Sequence, residues 1–181
     1  MDDVAARKHG FESLADMARS LGVVFAAVVV LLLITIRPHG QTVQIVDYRP
    51  TLQIAKIGEP FVLVAPVGLP GQWRPTSDYF DPPQVTGTPG VSMWHIGFVT
   101  PANAYAGFEQ TNRIAADALS AQITDPVRAG VSLVHGIAWQ RWTGGGRRAL
   151  ILARTPVTIV VDGTAGWGEL EQLAGSLQPQ H

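Results

Sequence analysis

From Ser20 to Ile36 the chain reads SLGVVFAAVVVLLLITI, seventeen residues without a charged side chain, and the run stops at Arg37 and Pro38. A helix of that length, rising about 1.5 Å per residue, reaches roughly 25 Å. That suffices to cross a hydrocarbon core of about 30 Å when the Arg37 guanidinium snorkels to the headgroups. A helix packed in a soluble core seldom lacks a polar face over so many residues. A cleaved secretory signal needs small residues in an Ala-x-Ala-like pattern just past its apolar stretch, and ITIRPHG stands there instead. With no cysteine in the chain, attachment through a lipidated cysteine is closed. The run is therefore expected to be an uncleaved signal-anchor in contact with membrane lipid.

Flanking charge does not orient the span, because Arg7, Lys8 and Arg19 precede it and Arg37, Arg49 and Lys56 come after it. Size does: the preceding tail is too short to fold alone, and the segment beyond the span is long enough for one domain. The expected layout is a cytoplasmic tail 1–19, a transmembrane signal-anchor 20–36, a linker 37–44 and an extracytoplasmic domain 45–178. The expected location is thus the cell membrane, single-pass. From Gln41 onward nine Lys/Arg face ten Asp/Glu, a balance without the basic footprint that nucleic acid requires.

Local patterns assign the domain's elements. A helix is expected at Thr51–Ile57 and a short buried strand in EPFVLVAP. WRPTSDYF reads as an extended segment whose Pro75 places it at an edge or a bulge. VSMWHIGFVT and AYAGFEQT read as a hairpin about PANA, and PPQVTGTPG as a loop. In NRIAADALSAQIT a helical stripe is formed by Ile114, Ala118, Leu119 and Ile123, ended by Pro126. VSLVHGIAWQRW and RRALILART flank TGGG, a second hairpin signal. PVTIVVDG alternates, and TAGWGELEQLAGSL puts Leu170, Leu173, Ala174 and Leu177 on one helical face. Strands joined by short turns, with one helix between hairpins and another at the end, define an α+β domain: an antiparallel sheet covered by helices.

The segments DMARSL, FVLVAPVGLPGQWRPTS, WHIGFVTP, YAGFEQ and VTIVVDGTAGWGELEQLA together resemble an actinobacterial family of single-span membrane-anchored envelope proteins catalogued only as a domain of unknown function. The likeness covers most of the chain. It implies an outward-facing anchored domain with a sheet-and-helix fold similar to the PsbP and Mog1 domains. It carries over no catalytic residue.

Motifs that would dictate chemistry are missing. His95 and His135 stand alone, without the paired spacing of a zinc site. Asp78 and Asp81 lack the spacing of a calcium loop. Gly144 to Gly146 precede a strand and no Lys-Ser/Thr comes after them, so they form a turn and not a phosphate loop. None of the seven serines lies in a Gly-x-Ser-x-Gly elbow. No cofactor or metal is expected. Period-two spacing allows Glu109, Arg141 and Arg154 to meet on an open sheet face, and these three with His95 are the candidate partner-binding residues. Of the five tryptophans, Trp94 and Trp167 are expected in the core, and Trp139 and Trp142, three apart, on opposite sides of a strand. The expected function is non-enzymatic binding or scaffolding of a membrane or envelope protein. The alternative is a cell-wall domain that binds or acts on envelope sugar or lipid, for which a concave pocket is required.

Overall fold

The computed structural model describes residues 17, 19, 21–31, 44–59, 61–83 and 90–181. The chain divides into two compact units, Met1–Thr42 and Val43–His181. In the first, residues 21–31 form a helix, α1, with exposed side chains throughout. Among the described residues no helix is long and apolar enough to cross a membrane. The tail up to residue 16, Ser20, the end of the expected span and nearly all of the linker lie outside them, as does most of PPQVTGTPG.

The second unit is α+β, and among the described residues every strand pairing is antiparallel. Helix α2 (Arg49–Gly58) carries Pro50 in its first turn, where a missing N–H costs nothing. After β1 (Leu63–Pro66), the strands β2 (Arg74–Asp81), β3 (Met93–Val99) and β4 (Tyr105–Thr111) form a meander. Pro75 sits on the edge strand, and the register slips between Pro75 and Ser77, as a proline without a ladder donor demands. Helix α3 (Ala115–Gln122) then carries the chain to the opposite edge. Strands β5 (Val127–Val134), β6 (Ile137–Gly144), β7 (Arg147–Arg154) and β8 (Val157–Gly163) walk back until β8 pairs with β4. The order is β2-β3-β4-β8-β7-β6-β5. Helix α4 (Trp167–Ser176) comes next, and β9 (Leu177–Gln180) pairs with β1 in a separate ribbon.

Strand alternation splits the apolar residues between the two sheet faces. Trp94, Ile96, Phe98, Phe108, Leu150 and Val161 point to one face, where they pack with Leu52 and Ala55 of α2 and Leu170 and Leu173 of α4. The intervening residues Ala149, Ile151 and Val160 point to the other and pack beneath Ala118 and Leu119 of α3 and Ile123 just past it. Ile114, the fourth member of the expected stripe, caps α3 and is exposed. Trp139 belongs to the first cluster and Trp142 packs against the second, so the pair does face opposite sides.

Two local features depart from the sequence reading. VSLVHGIAWQRW is not one strand: His135 (φ 48°) and Gly136 (φ 77°) form a tight turn joining β5 to β6. A two-residue turn with both φ positive matches the twist of the flanking strands, but His-Gly lacks the usual Asn or Asp signal. Leu177, expected on the buried face of the last helix, instead opens β9.

Candidate functional site

The hairpin of β3 and β4 sets His95 directly opposite Glu109 on the sheet face that α3 partly covers. Glu109 is wholly buried and His95 nearly so. Around them, on the same face, stand Tyr79 and Ser77 of β2, Tyr105 of β4, Asp162 of β8 and Arg147 of β7. Gly97 and Gly107, cross-strand partners, make room for Tyr105: a Cβ on Gly107 would lie 2.7 Å from its hydroxyl. The Tyr105 ring therefore lies along the sheet, and its hydroxyl shares a 3.2 Å hydrogen bond with His95 Nε2. Tyr79 stacks on the imidazole with ring centroids 4.6 Å apart.

Electrostatics are set by this burial. Desolvation, aided by the Arg147 charge, lowers the His95 pKa to about 4, so the ring is neutral near pH 7. Desolvation raises Glu109 to about 7, against the opposing pull of Arg113 and of the Gln122 amide, which donates to Oε2 at 2.5 Å. Among the described residues, Glu109 Oε1 and His95 Nδ1 have no hydrogen-bond partner. Asp162 accepts two hydrogen bonds from Arg147, and the guanidinium also lies over the Tyr105 ring, 5.3 Å from its centroid. Burial still outweighs the pairing and keeps the Asp162 pKa above its usual value. A carboxyl titrating near 7 beside a neutral histidine has the makings of an acid-base pair. Both groups are buried, and the grooves at the sheet rim are lined by other residues.

The three charges expected to meet do not. Glu109 is in register with Val160, Ile151 and Gln140 across the sheet, so Arg141, one residue on, faces the other side. Arg154, three residues beyond Ile151, also faces the side opposite Glu109. Arg141 serves the fold: its guanidinium bonds Ser132 and Glu171 and lies over the Trp167 ring, tying α4 to β5 and β6. The Ser132 hydroxyl and Arg141 hold the Glu171 carboxyl below its usual pKa. The cluster is partly exposed, so Arg141→Ala should cost only about 1 kcal/mol in denaturant unfolding. A neutral result would show that the α4 tether carries no stability.

Arg154 is different, being exposed at the end of β7 with no ion-pair or hydrogen-bond partner among the described residues. It stands where three grooves adjoin. One, of about 330 Å³, mixes polar Asn112, Arg113, Thr155 and Thr158 with apolar Ile114, Pro156 and Val157. A second, of about 240 Å³, is walled by Phe61, Val62, Leu152, Val157 and Ile159. A third, of about 270 Å³, continues over Leu152 and Ile159 to Ile137, Trp139 and Leu177. Among the described residues no group of three or more His, Cys, Asp or Glu could hold a metal ion. Sequence reasoning selected Arg154 but not these grooves, because their walls come from five distant segments. It missed Tyr79, Tyr105, Arg147 and Asp162, whose grouping depends on strand register.

Fold and surface together define an antiparallel α+β domain with a largely buried ionisable cluster in its sheet and open apolar grooves at one rim. The chain belongs to the family described as "Protein of unknown function (DUF4245)", which matches residues 9–177. No curated protein and no solved structure matches it.

Proposed function

We propose that this is a single-span, membrane-anchored protein of an actinobacterial cell envelope whose domain lies outside the membrane and works by binding and not by turnover. Ser20 to Ile36 is the anchor, resting in membrane lipid, and the partner is a membrane or envelope protein. The domain is of the sheet-and-helix kind found in PsbP and Mog1 domains. The observation that carries binding is the division of the ionisable groups. Those resembling acid-base machinery, Glu109, His95 and Asp162, are buried in the sheet and line none of the grooves at its rim, whereas Arg154 is left without a partner beside them. A span without intramembrane charge also suits anchoring better than transport.

Crosslinking in intact cells and then pull-down of the full-length protein tests this reading. It should recover the same membrane partners repeatedly, from a protein whose mass retains residues 20–36. A mature N-terminus beyond Ile36, or turnover of an envelope substrate abolished by Glu109→Gln, would sink it. The ligand-binding alternative is favoured by one specific observation, the apolar walls of two of the grooves.

A further inference from the structure

We propose that the rim of the sheet at Arg154 is a binding site for a single acyl chain ending in a carboxylate. The inference goes beyond the partner binding proposed above and rests on the ligand-binding alternative, for which it names a ligand class.

The two apolar grooves share Leu152 and Ile159 as floor and Arg154 as boundary. Phe61, Leu152, Val157 and Ile159 are each only half-buried, and Val62 is exposed. Each groove alone falls below the roughly 300 Å³ at which small-molecule pockets begin, and joined they pass it. Their walls offer a peptide backbone few hydrogen-bonding groups, namely Arg154, the His135 ring and one amide. The one amide reaching the second groove is already spent: Gln110 Oε1 accepts from Val64 N at 2.7 Å and its Nε2 donates to the Val62 carbonyl at 2.9 Å. A peptide laid there would bury its own backbone donors and acceptors unpaired. An acyl chain has none to bury.

The charge fixes the end of the ligand. Arg154 is the single Lys, Arg, Asp or Glu lining either apolar groove, so its fork suits one monoanion held bidentately. Arg113 and Thr155 line the adjoining mixed groove and add a positive charge and a hydroxyl to the head's surroundings. The chain then lies over Leu152, Val157 and Ile159 with its carboxylate turned outward to Arg154. No covalent step is involved.

The test photolabels the full-length protein in native membrane vesicles with palmitate bearing a diazirine, and maps the adducts by mass spectrometry. Adducts should concentrate on peptides containing residues 61–62 and 152–159. Arg154→Gln should reduce them about tenfold, the loss expected for one charge-assisted contact. Val62→Asp should do the same by charging the apolar wall, and Arg154→Lys should retain most of the labelling. Both positions are exposed, so the fold should survive, as an unchanged melting curve would verify. Equal labelling by the matching fatty alcohol, stronger labelling by a phosphate-ended chain, or adducts absent from those peptides would overturn the proposal. Partner recovery by crosslinking in Arg154→Gln separates the two claims: partners retained without palmitate adducts on the named peptides of the unaltered protein refute the acyl site and leave the binding function standing.

Discussion

Between pH 4.5 and 6.5 the unfolding free energy of the domain should stay nearly level, while that of Glu109→Gln climbs with pH and that of His95→Gln falls. The reason is that two buried groups with opposite linkage share the window. Glu109 has its folded pKa raised from 4.5 to about 7. Over this range the folded state holds a proton that the unfolded chain has lost, and stability declines as pH rises. His95 has its folded pKa lowered from 6.5 to about 4. Here the unfolded chain holds the extra proton, and stability increases with pH. Each slope approaches about 1.4 kcal/mol per pH unit, so either group alone moves stability by roughly 2–3 kcal/mol across the window. Asp162 and Glu59, also raised by burial, act in the direction of Glu109 and tilt the wild-type plateau slightly downward. Above pH 6.5 only the falling limb remains, and below 4.5 only the histidine's. Urea titrations at four pH values read the slopes whatever constant offset each substitution introduces. Parallel profiles in the three proteins would show that the two groups titrate as in water.

Arg147→Ala should destabilise the domain at pH 8 by about 3–5 kcal/mol, because it strands the Asp162 carboxylate inside the sheet. Asp162 is 1% exposed, and both of its contacts with a cation come from Arg147. The same substitution removes the guanidinium from the Tyr105 ring. Two features distinguish this from lost packing. The deficit should shrink as pH falls toward 4, since the stranded carboxyl takes up a proton. The double variant Arg147→Ala/Asp162→Asn should recover more than half of the loss, because no charge is then left unpaired. A deficit independent of pH and unchanged in the double variant would assign the effect to the missing arginine stem.

What the sequence made legible was local. His95 and Glu109 are equidistant from Ala102, the centre of the five-residue loop TPANA, so that loop places them opposite each other once its length is known. TGGG marks the β6–β7 turn because Gly145 and Gly146 take positive φ. Leu170, Leu173 and Ala174 mark the buried face of α4 through their spacing alone. What stayed hidden depends on pairings between distant segments. Whether Glu109 and Arg141 share a face turns on the register of β4 with β8, and shifting one residue reverses the answer. The grouping of Asp162 and Arg147 with Tyr105 needs the same pairing. LVAP and LQPQ are too short to announce a ribbon, and the second comes after a helix without a turn signal. The grooves at Arg154 are legible only after all of these pairings are known.

The ribbon of β1 and β9 joins the first strand of the domain to its last, with the whole seven-stranded sheet lying between them in sequence. Synthesis runs in one direction, so β1 is made early and waits for a partner made after all seven strands of the sheet. During that wait the apolar side chains it carries over the sheet, Leu63 and Ala65, have no neighbour from β9 to hold them in register. Trp94, whose indole donates to the Val64 carbonyl, must find its acceptor on a strand not yet paired. Contacts this far apart along the chain form slowly. The third groove at Arg154, which Leu177 helps to line, is therefore complete only when β9 is in place.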